Sequence, residues 1–248
     1  MKNEIAIQLN GLRKNYGAKE AVKGIDLDIF RGELFVLVGA NGAGKTSTLK
    51  MLTGLLKPTA GMIQICGLNL QQKTKEVKKL MSFVPDIPYI YEKLSPWEII
   101  RFVGKLYEMD RGAIETRGKE LLQFFSLWHV RDVLTEEFSH GMRQKTVLCA
   151  ALVHNPEIFI LDEPMVGLDP VSILDFKVFL KQKTKEGMTV IFSTHTLATA
   201  EELADRIAIM HQGRIVALGT LDELRTQYRS KENLEQMFME MIKTEDTR

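Results

Sequence analysis

Gly39-Ala40-Asn41-Gly42-Ala43-Gly44-Lys45-Thr46 fits the phosphate-binding loop pattern of Gly, four residues, then Gly-Lys-Ser/Thr. Its flanks fit as well. Leu34-Phe35-Val36-Leu37-Val38 is a short continuous apolar run, expected as a buried parallel strand, and Thr46 to Leu52 reads as a helix. Glycines let backbone N–H groups close around phosphate oxygens where side chains would clash, and a helix N-terminus adds a partial positive charge. In such a loop Lys45 reaches the β- and γ-phosphates and the Thr46 hydroxyl holds Mg2+. The pattern says nucleotide without saying which machine uses it.

Around this stretch lies an ordinary globular composition, 45% hydrophobic and 26% charged over 248 residues, enough for one large α/β domain or one domain with an inserted lobe. Lys+Arg is 33 and Asp+Glu is 32, a balance without the basic excess that nucleic-acid binding usually needs. No apolar run approaches the roughly 18 residues of a membrane span. Met1-Lys2-Asn3-Glu4 has no signal-peptide shape, so the expected location is the cytoplasm. Cys66, in an expected strand, and Cys149, on the apolar face of an expected helix, make no metal or disulfide pattern.

Upstream of the loop, Ile5 to Leu9 and Ile25 to Ile29 alternate apolar and polar, predicting half-buried antiparallel strands with Tyr16-Gly17 in the turn between them. Downstream, Gly54 and Pro58 break the chain before a strand at Met62 to Cys66, and the lysine-rich Lys73 to Lys79 reads as a solvated helix face leading into Met81-Ser82-Phe83-Val84. Pro85 and Pro88 open a loop. Ser95-Pro96-Trp97-Glu98 then has Ser at an N-cap, Pro at the first helical position and Glu at the third, starting a helix with Ile99, Ile100, Val103, Leu106 and Tyr107 on one stripe. A second helix, Ile114 to Phe125, repeats the arrangement. From Ile158 the α/β pattern returns: strand Ile158 to Leu161, helix Val171 to Glu186, strand Met188 to Phe192, helix Leu197 to Ala204, and a closing hairpin of Arg206 to Met210 with Arg214 to Leu218. Leu234, Met237, Phe238, Met241 and Ile242 stand at helical spacing in a tail read as a structural cap.

Two carboxylates, Asp162 and Glu163, follow the apolar strand Ile158 to Leu161. Ligands in a parallel sheet bind at the C-terminal strand ends, so Asp162 should emerge beside the phosphate loop to orient Mg2+, with Glu163 placed to take a proton from an attacking water. His195, after Val190 to Thr194, should reach the same edge and hydrogen-bond the γ-phosphate, whereas His129, His154 and His211 read as structural or surface residues. Ser139-His140-Gly141-Met142-Arg143 begins a helix with Ser139 as N-cap. Physics leaves two readings there, an ordinary capped helix or a second anion-binding helix N-terminus.

With these motifs in this order, the chain resembles the ATP-binding subunit of an ABC transporter over nearly its whole length. The resemblance implies an α/β P-loop NTPase fold: a RecA-like parallel sheet core with an N-terminal antiparallel β-subdomain (1–90 and 155–225), an inserted α-helical subdomain (91–154) and a helical tail (226–248). It implies ATP and Mg2+ as cofactors, with Tyr16 stacking on adenine, Gly39, Asn41, Gly42, Ala43, Gly44, Lys45, Thr46 and Ser47 as Walker A, and Asp162 with Glu163 as Walker B and catalytic base. Gly167-Leu168-Asp169-Pro170 resembles the D-loop, His195 the switch histidine, and Ser139 with Gly141 the signature motif. Phe138, His140 and Met142 depart from the usual Leu-Ser-Gly-Gly-Gln, in the manner of bacterial ABC-2-type and EcsA-like exporters. Asp86 stands where the family commonly has a glutamine that meets Mg2+; it is either an anionic metal ligand or the start of a turn between prolines.

The implied machine dimerises head to tail, as a homodimer or closely related heterodimer, with each ATP held between Walker A of one protomer and the signature helix of the other. It drives a separate membrane permease from the inner face of the cell membrane, with no nucleic acid as partner. A soluble ABC-type ATPase acting on nucleic acid or ribosomes is the alternative, though such proteins carry a long coiled coil or two cassettes. A P-loop kinase should carry an arginine-rich lid, for which Arg143 stands alone.

Overall fold

The computed structural model of the chain describes residues 4–87, 89–227 and 234–245. The alternating N-terminal segments are two strands of 12 residues each, β1 (Ile5–Tyr16) and β2 (Lys19–Phe30), paired antiparallel. Both outrun their expected lengths, because a register shift between Leu9 and Leu12 carries the pairing past Asn10-Gly11, as a bulge does. β4 (Ala60–Ile65) pairs on the other side of β1, and β5 (Leu68–Asn69) folds back on β4, giving a four-stranded sheet in the order β2-β1-β4-β5. Cys66, expected in a strand, lies in that last turn at φ 49°, and the two residues of β5 are too few to show any periodicity.

The second sheet is built from β3 (Leu34–Val38), β6 (Met81–Val84), β7 (Ile158–Asp162), β8 (Thr189–Thr194), β9 (Arg206–His211) and β10 (Arg214–Gly219), in the order β10-β9-β3-β8-β7-β6. All its pairs are parallel except the edge hairpin β9-β10. β3, β7 and β8 are buried at every position, so they read as unbroken apolar runs and not as alternation. The two faces of β3 serve different cores. Phe35 and Leu37 pack with the antiparallel sheet and α1 (Lys45–Leu52), while Val36 and Val38 pack with the helices of the other side. Phe35, Phe159, Phe176 and Phe192 are fully buried, each contributing about 1.5–3 kcal/mol by burial.

The short α2 (Thr74–Leu80) buries only Val77, as its lysine-rich face foretold. α3 (Pro96–Leu106) begins with both halves of the capping box formed: Glu98 N–H donates to Ser95 Oγ at 3.3 Å and Ser95 N–H to Glu98 Oε2 at 2.8 Å. Ile99 and Ile100 are buried, Ile100 in the cluster formed with α4 (Arg111–Phe124) and α5 (His140–Leu152). Leu106, expected on the same apolar stripe, is 63% exposed; it falls on the last turn, at the lip of a groove shared with Leu55, Phe83 and Val147. α6 (Pro170–Lys185), α7 (Leu197–Leu203), α8 (Leu221–Gln227) and α9 (Leu234–Glu245) complete the chain. Leu234 and Met237 bury α9 against the core, and Leu234 N–H donates to Glu201 Oε1 at 2.7 Å. Pro88 and the side chains of Met241 and Ile242 lie outside the described residues. Among the described residues no helix is long and apolar enough to cross a membrane.

Candidate functional site

Parallel pairing sets the C-terminal ends of β3, β8 and β7 side by side, with Val38 opposite Thr194 and Asp162 opposite Ser193. A cleft of about 460 Å3 opens at this edge, lined by Tyr16, Lys19, Ala21, Ala40, Asn41, Gly42, Gly44, Lys45, Thr46, Ser47, Asp86, Asp162 and Glu163. Gly44 is the N-cap of α1 at φ 108°, and a Cβ there would come within 2.6 Å of the Ala21 carbonyl, so only glycine lets the loop lie against β2. No side chain caps α1, which leaves its first-turn N–H groups facing the cleft for an anion.

Lys45 is 6% exposed, and its Nζ donates to the carbonyls of Gly39 at 2.6 Å and Ala40 at 3.3 Å. Burial lowers its pKa, opposed by the carboxylates of Glu163, whose Oε1 lies 4.0 Å away, and Asp162. A cation so poorly hydrated interacts strongly with a phosphate. Asp162 is 1% exposed; its Oδ1 accepts from Ser193 Oγ, and its Oδ2 is buried without a hydrogen-bond partner. That free hard oxygen, with Thr46 on the same cleft, fits Mg2+, which takes one or two carboxylates from a protein and the rest of its shell from phosphates and water. No cluster of three or more His, Cys, Asp or Glu that could hold a metal occurs among the described residues.

Glu163 has a left-handed backbone at φ 48° that turns it off β7, and its Oε1 lies 2.9 Å from His195 Nδ1. β8 runs to Thr194, so His195 stands just beyond the sheet, as its place after Val190 to Thr194 implied, and is 54% exposed at its side chain. Tyr16 is the last residue of β1 and half exposed, its hydroxyl 3.3 Å from Ser47 Oγ and its ring 5.2 Å from Lys14 Nζ. Asp86 is exposed, follows β6 and lines the cleft.

Five of the residues expected to hold nucleotide do not line this cleft. Gly39 and Ala43 lie beneath the loop, where a Cβ on Gly39 would run into the Met210 carbonyl and Ala43 is 5% exposed. Ser139 caps α5, accepting from Met142 N–H at 3.3 Å. Gly141 sits under the Gly167 carbonyl, where a Cβ would approach to 2.7 Å. Asp169 caps α6 through Ser172 and pairs with Lys145 at 3.1 Å; these bonds, those to Ser172 foremost, hold its carboxyl well below the usual range. The sequence reading missed Lys19, Ala21 and Ser193. Only Ser193 left a signal, a hydroxyl directly after Val190-Ile191-Phe192.

A phosphate loop, a desolvated lysine and two strand-end carboxylates on one parallel sheet define a nucleotide-binding protein of the P-loop NTPase class. The ABC transporter family matches residues 22–166, and the chain belongs to that family. It is 38% identical over 218 residues to the linearmycin resistance ATP-binding protein LnrL of Bacillus subtilis, covering 88% of this chain and 70% of that one. The ABC-type transporter ATP-binding protein EcsA of the same species is 31% identical over 238 residues and 96% of each chain. A solved ATP-binding subunit of an ABC transporter superposes with a TM-score of 0.91 at 32% identity, covering 96% of this chain and 99% of the other. A dimeric cassette bound to ADP and Pi shares the fold at 24% identity, with a TM-score of 0.80 over 87% of this chain and 98% of the other. This chain is therefore an ATP-binding and ATP-hydrolysing subunit coupled to transport, and the soluble nucleic-acid or ribosome ATPase is not favoured.

Proposed function

We propose that the subunit binds MgATP in the cleft below β3, β7 and β8 and hydrolyses it in a head-to-tail dimer that drives export through a separate membrane permease. The observation that carries this reading is the meeting of Lys45, Asp162 and Glu163 on one cleft while Ser139 and Gly141 lie off it. In the dimer each cleft is completed by the other subunit's Ser139 and Gly141 at the start of α5. The core and antiparallel sheet (1–90 and 155–225), the helical subdomain (91–154) and the tail (226–248) are the working parts.

The phosphates rest on the N–H groups of Gly42 to Ser47 and on Lys45, with adenine against Tyr16. Thr46 and Asp162, with Asp86 on the same cleft, would hold Mg2+, and that ion would supply positive charge against the phosphates. Glu163 takes the proton of the attacking water, and His195, steadied by its 2.9 Å contact with Glu163, donates toward the γ-phosphate. The permease holds the subunit at the inner face of the membrane. The groove walled by Leu55 and Leu106, each 63% exposed, together with Phe83, supplies an apolar surface for it. Names among the relatives, such as bacitracin transport for a protein 34% identical, favour export.

Glu163→Gln tests this reading. It should bind ATP normally, hydrolyse it about 10²–10⁴-fold more slowly and accumulate as an ATP-loaded dimer by light scattering. A monomer with near-normal turnover would sink both the base and the dimer, and purification from native membranes should bring down a permease.

A further inference from the structure

We propose that Ser193 is a positioning residue of the hydrolytic site, one hydroxyl that orients the Asp162 carboxylate and also holds the Glu163 main chain. The inference rests on the roles proposed for Asp162 and Glu163. Ser193 is 0% exposed and lies opposite Asp162 in the β7–β8 ladder, among the apolar residues Val190, Ile191 and Phe192. A buried hydroxyl is costly unless it is bonded. This one donates its single hydrogen to Asp162 Oδ1, and a lone pair receives the Glu163 N–H at 3.4 Å, the same N–H reaching the Ser193 carbonyl at 3.2 Å.

The consequences fall on both carboxylates. With Oδ1 engaged, the Asp162 group cannot turn freely, and its unpartnered Oδ2 is the oxygen left for a cation. The Glu163 N–H is held by the Ser193 carbonyl at 3.2 Å and, more loosely, by the hydroxyl at 3.4 Å, and the left-handed φ of 48°, uncommon outside glycine, puts Oε1 beside His195. Removing the hydroxyl would leave Asp162 Oδ1 buried and unbonded, free to compete with Oδ2 for the metal.

The test compares Ser193→Ala, Ser193→Thr and Ser193→Cys, reading binding of a fluorescent non-hydrolysable ATP analogue in EDTA and across a Mg2+ titration, with kcat and KM alongside. Binding of the analogue in EDTA should stay within about twofold for all three. For Ser193→Ala the Mg2+ midpoint should rise about tenfold and kcat fall about tenfold or more, the usual cost of losing a residue that orients a metal ligand, with KM moving less. Ser193→Thr keeps the hydroxyl and should recover both. Ser193→Cys keeps the shape with a poor donor and should follow Ala while melting like wild type. An unchanged Mg2+ midpoint in Ala and Cys, or Thr as impaired as Ala, would overturn the role of Ser193. Mg2+-independent binding by the wild type would instead overturn the metal assignment of Asp162.

Discussion

Two helix N-termini in this molecule have the same elementary attraction for an anion, and the structure treats them differently. At α1 the cap is Gly44, no side chain caps the first-turn N–H groups, and Lys45, Asp162 and Glu163 gather on the same cleft. At α5 the cap is Ser139, whose side chain takes the Met142 N–H, His140 packs on Gly167, and none of these residues lines the cleft of Lys45, Asp162 and Glu163. A helix dipole alone therefore does not make a catalytic site. The first terminus has a cation to bind phosphate and carboxylates to act on it, whereas the second stands off that cleft and, in the proposed dimer, would complete the other subunit's site.

The hardest test of that contrast separates binding from pairing. Lys45→Ala should weaken ATP binding to the isolated subunit and cut turnover by about 10²–10³-fold, the usual loss when one preorganised charge donor to phosphate is removed. His140→Glu should leave isolated-subunit binding unchanged and weaken ATP-driven dimerisation by about tenfold, through repulsion of the phosphate. Mixing the two variants should restore turnover above either alone, because a mixed dimer holds one composite site with both wild-type halves. Failure of the mixture to recover, with both proteins folded, would make α5 an ordinary capped helix.

A smaller effect sharpens what belongs to the first region. Asp86 lines the cleft but is exposed, so a screened contribution is expected. Asp86→Asn should raise the Mg2+ needed for half-maximal ATPase about two- to threefold, and Asp86→Ala somewhat further. Identical midpoints for all three would leave Asp86 as turn chemistry beside Pro85.

The smallest effect concerns how the second region is seated. Just beyond α5, the His154 ring stacks on Tyr107 with centroids 3.5 Å apart, and burial pushes its pKa down from 6.5 to about 4. The unfolded chain therefore takes up the proton first, so stability should be flat above pH 6.5 and decline as pH falls from 6.5 toward 4. Discounted for partial exposure, the loss is about 1 kcal/mol, or roughly 2–4 °C in Tm. His154→Phe, which preserves the ring contact, should flatten the decline in pH-scanned melting curves. An unchanged slope would assign the acid sensitivity elsewhere.

The legible parts of this protein were those whose physics is local. The glycines of the phosphate loop, the capping box at Ser95, the buried runs of β3, β7 and β8 and the acidic pair after β7 all follow from neighbours within a few residues. A phosphate cradle, a helix cap or a strand buried on both faces needs no distant partner to be recognised. The tertiary structure alone decided that β8 lies between β3 and β7, and so that Ser193 reaches Asp162 while His195 reaches Glu163. It alone carried β1 through its bulge, added β5 and left Leu106 at the lip of a groove. It also set Ser139, Gly141 and Asp169 away from this chain's own phosphate-loop cleft. These outcomes depend on which surfaces exclude water together across long stretches of chain, and a periodicity of two or 3.6 residues carries no record of strand order or of the partner opposite a given side chain.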